Sequence, residues 1–253
     1  MFDLLKVRIN HGDQAIPDIR KAKINDSFRG LPSIQKKSCP SDCSECLNIC
    51  LSDAIKKKAD NIEIDLGKCI LCGDCARVCH LNKINFSTFY KMASTDRNKL
   101  FVSSDTTPEN YYKNAVSINK RIKRVFGKSL KLRSVSAAGC NACELELNAC
   151  SNVNFDMTRF GIEIVASPRH ADGIIITGPI NKNMSKALAD TYKSVPSPKI
   201  VIAAGACAIS SGIFKDSPEL DRTFLDKVKI DLYVPGCPAH PLSIINGILD
   251  YIS

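Results

Sequence analysis

The chain has 253 residues, 44% hydrophobic and 24% charged, with a formal net charge of +9 and 13 cysteines. That is enough apolar material for a core and for one or two domains, while no apolar run reaches the roughly 18 residues that span a bilayer. Residues 1–10 (MFDLLKVRIN) are too short and too charged for a secretory signal, so a cytoplasmic setting is expected, in which grouped cysteines read as metal ligands and not as disulfides.

Residues 1–38 lack clear periodicity and are punctuated by Pro17, Gly30 and Pro32, which predicts an extended or docking arm. Residues 39–90 hold an internal repeat: Cys43, Cys46 and Cys50 recur 29 positions later as Cys72, Cys75 and Cys79, each set followed by a short apolar segment, Ala54-Ile55 in one half and Ile84 with Phe86 in the other. Such a repeat implies a pseudo-twofold unit. Between the halves, residues 61–65 (NIEID) alternate as a half-exposed strand does.

Charge is uneven, at +3 over residues 1–90, +8 over 91–133 and −2 over 134–253. Residues 91–128 read as a basic linker. Within it, residues 109–126 set Tyr112, Ala115, Val116, Ile122, Val125 and Phe126 at helical spacing, with Lys113, Lys120, Arg121, Lys123 and Arg124 on the other face. This predicts one amphipathic helix, either a solvated connector or a face for an acidic partner or anionic lipid. No nucleic-acid-binding fold surrounds the basic stretch, so nucleic acid is not expected as a partner.

From residue 129 on, strand-like runs at 132–136, 162–166, 173–177, 200–204 and 230–234 alternate with helical stretches at 184–192 and 241–252. The alternation predicts an open, mostly parallel α/β sheet covered on both faces. Gly139, Gly178, Gly205 and Gly236 come just after such runs, at the strand ends where open α/β sheets build their sites.

Twelve cysteines fall into three fours. Cys69-x2-Cys72-x2-Cys75-x3-Cys79 has the two-cluster ferredoxin spacing, in which the fourth thiolate reaches across to the other cluster. Crossed ligation then assigns Cys39, Cys43, Cys46 and Cys79 to one [4Fe-4S] cubane and Cys69, Cys72, Cys75 and Cys50 to a second. Two departures stand out: Cys39-x3-Cys43 is one residue long, and Leu51 and His80 replace the proline that usually follows the fourth cysteine. The alternative chemistry, a pair of four-cysteine zinc sites in a non-redox scaffold, usually pairs its Cys-x2-Cys knuckles across a longer gap. The third four, Cys140, Cys143, Cys207 and Cys237, sits in three loops that each follow a strand, so the thiolates can converge on one point.

The segments GCNACELEL, SPRHADGIIITGP, GACAISSGIF and VPGCPAHP resemble the iron-sulfur small subunit of nickel-iron hydrogenases, above all the energy-converting membrane-associated type, and its relative, the quinone-proximal iron-sulfur subunit of respiratory complex I. The resemblance covers about residues 129–253. It implies a flavodoxin-like, mostly parallel open sheet with a proximal [4Fe-4S] cluster on Cys140, Cys143, Cys207 and Cys237. The repeat is similar to the two-cluster ferredoxin subunit of the same complexes, which makes the chain a fusion of a small α+β ferredoxin domain with that sheet and brings the cofactors to three [4Fe-4S] clusters. The Cys140-x2-Cys143 spacing favours the hydrogenase side, since the complex I relatives carry adjacent cysteines there; Ala142 replaces the glycine usual in hydrogenases.

What the resemblance implies is an electron-transfer subunit with no catalytic residues of its own. Its partners would be a large subunit with a nickel-iron or quinone site, membrane subunits that hold the complex on the inner face of the membrane, and a soluble electron carrier or electron-input subunit. Arg169 and His170 would tune the proximal cluster or carry protons, or else satisfy loop carbonyls. Glu144 and Glu146 would act in a proton relay, or simply suit a helix start. His80 and His240 read as ordinary loop residues and Cys150 as a small buried hydrophobe.

Overall fold

The computed structural model describes residues 2–12, 14–58, 61–117, 120–127 and 129–252. Its larger unit is a five-stranded sheet of β6 (Leu130–Ser136), β7 (Ile162–Ile164), β8 (Gly173–Thr177), β9 (Ile200–Ala204) and β10 (Leu232–Val234), in the order β10-β9-β8-β6-β7. Every pairing is parallel. Counted within the sheet, the order is two-one-three-four-five, the flavodoxin-like winding, with its switch point between β6 and β8. The strands expected at 162–166 and 230–234 are shorter than predicted, ending at Ile164 and starting at Leu232.

The central strands GIIIT and IVIAA are buried at every position, as continuous apolar runs in a parallel sheet must be. Ile174, Ile176, Val201 and Ala203 face one core with Leu188 of α7 (Lys182–Ser194) and Phe224 of α9 (Thr223–Lys227). Ile175, Ile200 and Ile202 face the other, with α10 (Pro241–Ile252), α6 (Ala142–Ala149) and α5 (Lys120–Phe126). Helix α10 buries Ile244, Ile245 and Ile248 completely, each contributing about 1.5–3 kcal/mol.

The front half is built on antiparallel pairs. β1 (Pro32–Ile34) pairs with β4 (Ile84–Phe86), and β2 (Ile55–Lys58) and β5 (Phe101–Val102) flank β3 (Asn61–Asp65). Two short helices, α2 (Glu45–Asn48) and α3 (Asp74–Val78), carry Cys46 and Cys75, the middle members of the repeated cysteine sets. Ile62, Ile64, Leu66, Ile84, Leu100 and Val102 join the α7 side of the sheet in one continuous core.

Residues 1–38, expected as an extended or docking arm, open with α1 (Phe2–His11), which has no buried residue, and then cross to the sheet unit, where Ile19 is buried, its carbonyl accepts from Asn246 Nδ2 at 3.1 Å, and Arg20 pairs with Asp250 at 2.5 Å. Two other expectations change. The segment 91–128, expected as a linker, supplies β5 and buries Leu100, Val102, Tyr111 and Ala115. The single helix expected over 109–126 is two, α4 (Pro108–Ala115) and α5, because Val116 takes an extended conformation. Tyr111, not Tyr112, faces the core, and its hydroxyl donates to the Met92 carbonyl at 2.7 Å. Lys113, Lys123 and Arg124 are exposed; the side chains of Lys120 and Arg121 and residues 118 and 119 lie outside the described residues.

Candidate metal centres

The repeat is visible in the backbone. Asp53 and Asn82 each come three residues after a cysteine, Cys50 and Cys79, and both have φ +48°, a left-handed conformation that Asp and Asn tolerate best among side-chain-bearing residues. The next residue then turns its N–H onto that cysteine, Ala54 N–H to Cys50 Sγ at 3.3 Å and Lys83 N–H to Cys79 Sγ at 3.4 Å. Leu71 (φ +56°) and Gly73 (φ +83°) bend the loop around Cys72, and the Leu71 N–H donates to Cys69 Sγ at 3.4 Å.

These turns gather the thiols in two crossed groups. Burial first, and then Cys79, Cys39 and Cys43, push the Cys46 thiol up to about 11. Burial raises Cys69 to about 12, with Cys75, Cys50 and Cys72 adding to it. Cys50, Cys69, Cys72 and Cys75 line one partly enclosed pocket whose other walls include Ala54, Ile55, Ile64, Ile70 and Phe86.

The third four is assembled by the sheet. After β6 the chain passes through Ala138 (φ +75°) and Gly139 (φ +107°) to an exposed Cys140, and Asn141 (φ +64°) turns it into α6 with Cys143 in the first turn. Cys207 lies in α8 (Ala206–Ser210) after β9, and Cys237 is exposed after β10. Burial pushes Cys143 up to about 12, aided by Cys207, Glu144 and Cys237; burial, Cys237 and Cys140 put Cys207 at about 11. The approach is close enough to need glycine: a Cβ on Gly205 (φ +91°) would stand 2.5 Å from Cys143 Sγ, and one on Gly212 would stand 3.1 Å from Cys207 Sγ.

The three groups form a row. Cys46 lies within electrostatic reach of Cys75, and Cys72 within reach of Cys237, so the Cys50/Cys69/Cys72/Cys75 group borders both others. A further tie joins the units where Ser210 Oγ, three residues past Cys207, donates to the carbonyl of Gly67, two before Cys69, at 2.8 Å.

The residues suit iron-sulfur clusters in chemistry. Lys83 is 1% exposed, and its ammonium donates to the carbonyl of Lys37 and, at 3.4 Å, to Cys39 Sγ. A buried cation needs an anion, and a thiolate at Cys39, as a metal ligand carries, would supply one at hydrogen-bond distance.

Of the other residues singled out from sequence, Glu144 accepts from Thr177 Oγ1 at 2.5 Å beside Cys143, and Glu146 is held above the usual carboxylate range by burial. Arg169 and His170 are exposed on the crossover from β7 to β8. His240 caps α10, its Nδ1 accepting the Leu242 N–H at 3.1 Å, and its ring meets Phe28 and Phe155 edge-on. His80 pairs with Glu45 at 3.3 Å. Cys150 is fully buried and donates its S–H to the Glu146 carbonyl at 3.3 Å. Arg222, which no sequence motif marks, is half-buried against the third group, donating to the carbonyls of Pro179 (2.9 Å), Cys207 (3.0 Å) and Ala208 (2.8 Å). Lys83 was likewise missed; its only sequence signal is its place four residues after Cys79.

The family described as NADH ubiquinone oxidoreductase, 20 Kd subunit, matches residues 140–251, which hold the whole third group. A probable membrane-bound hydrogenase subunit of Pyrococcus furiosus is 36% identical over 135 residues, 52% of this chain and 81% of the relative. The chain belongs to this 20 kDa-subunit family. Formate hydrogenlyase subunit 7 of Escherichia coli is 39% identical over 142 residues, 56% of this chain and 54% of that protein. An NADH-quinone oxidoreductase subunit of Geotalea daltonii is 41% identical over 111 residues, 44% of this chain and 65% of that protein. Membership of the 20 kDa-subunit family implies an iron-sulfur cofactor and a non-catalytic part in a multi-subunit oxidoreductase. The cysteines of residues 39–79 lie outside the matched stretch. Among the described residues no helix is long and apolar enough to cross a membrane.

Proposed function

We propose that this chain carries electrons through three [4Fe-4S] clusters in series, with the ferredoxin-like repeat of residues 39–90 fused ahead of the 20 kDa-subunit domain of residues 129–253. The observation that carries the reading is the row of cysteine groups, in which the middle group borders both neighbours. Each cubane, when bound, accepts and releases one electron at a potential set by its surroundings.

The rest is work for this chain's own residues. Cys39, Cys43, Cys46 and Cys79 would hold the first cluster, Cys50, Cys69, Cys72 and Cys75 the second, and Cys140, Cys143, Cys207 and Cys237 the third. The N–H groups of Ala54, Leu71 and Lys83 point at sulfurs and so favour added negative charge. Gly205 and Gly212 leave room beside Cys143 and Cys207. Arg222 clamps the Cys207 loop and sets a positive charge beside it. Glu144, Glu146, Arg169 and His170 are the residues proposed for tuning or proton transfer around the third cluster.

The exposure of Cys140 and Cys237 supports a third cluster near the surface, where a large subunit would take the electron. The Cys140-x2-Cys143 spacing and the hydrogenase relatives favour a hydrogenase-type large subunit, with membrane subunits further on and a soluble carrier or electron-input subunit at the other end of the row. The NADH-quinone oxidoreductase relative supports a second reading, delivery to quinone.

Purification of the native complex without oxygen tests both. About twelve iron and twelve sulfide per chain are expected, and zinc without sulfide would sink the redox reading. Nickel with hydrogen uptake selects the hydrogenase partner; its absence, with quinone reduction, selects the other.

A further inference from the structure

We propose that Lys83 sets a potential: its buried ammonium makes the Cys39/Cys43/Cys46/Cys79 site the one, of the repeated pair, at which a single electron rests. The inference depends on the proposed function, in which both sites hold clusters.

Lys83 and Ala54 occupy the same place in the two halves of the repeat. Each stands four residues after its crossing cysteine, follows a residue at φ +48°, and donates its backbone N–H to that cysteine's sulfur. The backbone environment is therefore matched, and the side chain is what differs. One half has a methyl group. The other has an ammonium that donates to Cys39 Sγ at 3.4 Å and to the Lys37 carbonyl, wholly removed from water.

The loop cations are matched between the halves and cancel: Lys57 Nζ donates to the carbonyls of Pro40 (3.0 Å), Ser41 (2.6 Å) and Cys43 (3.4 Å) at the first site, and Arg29 Nε donates to the Leu71 carbonyl (2.7 Å) beside Cys72 at the second. The asymmetry rests on Lys83. The pocket of the second site is walled mostly by apolar side chains; its polar members are neutral Ser52, 3.8 Å from Cys50 Sγ, and Asp74, which is paired with Arg77.

A cubane on four thiolates is already anionic, and reduction adds one more negative charge. A desolvated cation at hydrogen-bond distance stabilises the reduced level more than the oxidised one, and its charge-assisted N–H bond to sulfur strengthens in the same direction. Apolar walls do the opposite. In the step concerned, an external one-electron donor loses one electron and the iron at the Lys83 site gains it; no bond forms or breaks and no proton moves. The electron is thereby held one site back from Cys140, Cys143, Cys207 and Cys237, and passing it on through the middle site, which borders that group, is uphill.

The test is a redox titration of the full chain, purified without oxygen, followed by low-temperature EPR. Lys83→Met and Lys83→Gln should shift the partition of the electron between the two sites at least tenfold toward the second. That is a fall of about 59 mV in the midpoint of the signal that Cys39→Ser alters, at unchanged iron content. Lys83→Arg should stay within threefold of the parent. If Lys83→Met loads less iron, Lys83→Gln, which keeps an N–H donor without the charge, decides alone. Unmoved midpoints at full iron content overturn this inference and leave the three-cluster reading standing, as does a shift in Lys83→Arg as large as in Lys83→Met. A parent chain that binds no iron at Cys39 overturns both.

Discussion

Arg97 grips Asp65 with both arms of its guanidinium, Nη1 to Oδ1 at 2.8 Å and Nη2 to Oδ2 at 2.6 Å, and the Asp65 side chain is only 3% exposed. Asp65 also accepts the Gly67 N–H at 2.9 Å, and its carbonyl accepts from Cys69 N–H at 2.9 Å. The pair thus fixes the turn that delivers Cys69 and presents the Gly67 carbonyl to Ser210. It braces the second cysteine group against the third.

Arg97→Ala strands a buried carboxylate and should lower stability by about 3 kcal/mol, read as a fall in the urea midpoint. Asp65→Asn combined with Arg97→Ala should cost less than the two single changes added together, because the stranded charge is gone. Additive costs would mean that the two side chains do not act as a pair.

Gly205→Ala should empty the third site. The new Cβ would meet Cys143 Sγ at 2.5 Å from a backbone at φ +91°, a conformation that costs a side-chain-bearing residue about 1–3 kcal/mol. About a third of the iron and sulfide should be lost, with the EPR signals of the other two sites kept. Full iron content in the variant would refute the close approach.

Arg222→Gln should leave carbonyls of Pro179, Cys207 and Ala208 without donors, at about 2 kcal/mol, and lower the midpoint potential of the third cluster. Lysine is not expected to rescue, since one ammonium lacks the planar fork that reaches all three. A potential unchanged in Arg222→Gln would leave this arginine a purely structural clamp.

Cys150 should resist iodoacetamide at pH 8 in the folded chain and react fully in urea, as peptide mass mapping would read. Burial raises its thiol from the ordinary 9.0 to about 12. A raised pKa means that the stability gained by burying the neutral thiol is intact below pH 9 and is lost between pH 9 and 12. The stability advantage of the parent chain over Cys150→Ala should therefore shrink across that interval. Rapid labelling of the native chain would contradict the burial.

Much of the sheet was legible because its physics is local. GIIIT and IVIAA are near-continuous apolar runs broken only by Thr177 at the strand end, which a strand buried on both faces can use, and the helix at 241–252 was readable from its apolar residues. The single helix expected over 109–126 failed for a tertiary reason: the Ala115 carbonyl accepts from the Ser94 hydroxyl (2.8 Å) and the Thr95 N–H (3.1 Å), and the chain leaves the helix at Val116, while Tyr111 enters the core with its hydroxyl on the Met92 carbonyl. Periodicity had favoured Tyr112.

The sequence by itself determined which thiols could act together, since cysteine spacing along a chain of fixed geometry limits what one cluster can reach, and it determined the kind of sheet that would carry the third group. Tertiary structure alone decided which charges those groups feel and how they are ordered. Lys83 reads in sequence as one lysine among many; it is buried only because β1 pairs with β4 and brings the segment before Cys39 over it. Arg222 and the nearness of Cys72 to Cys237 arise the same way. Burial of a charge depends on what distant parts of the chain lay over it, and no local pattern encodes that.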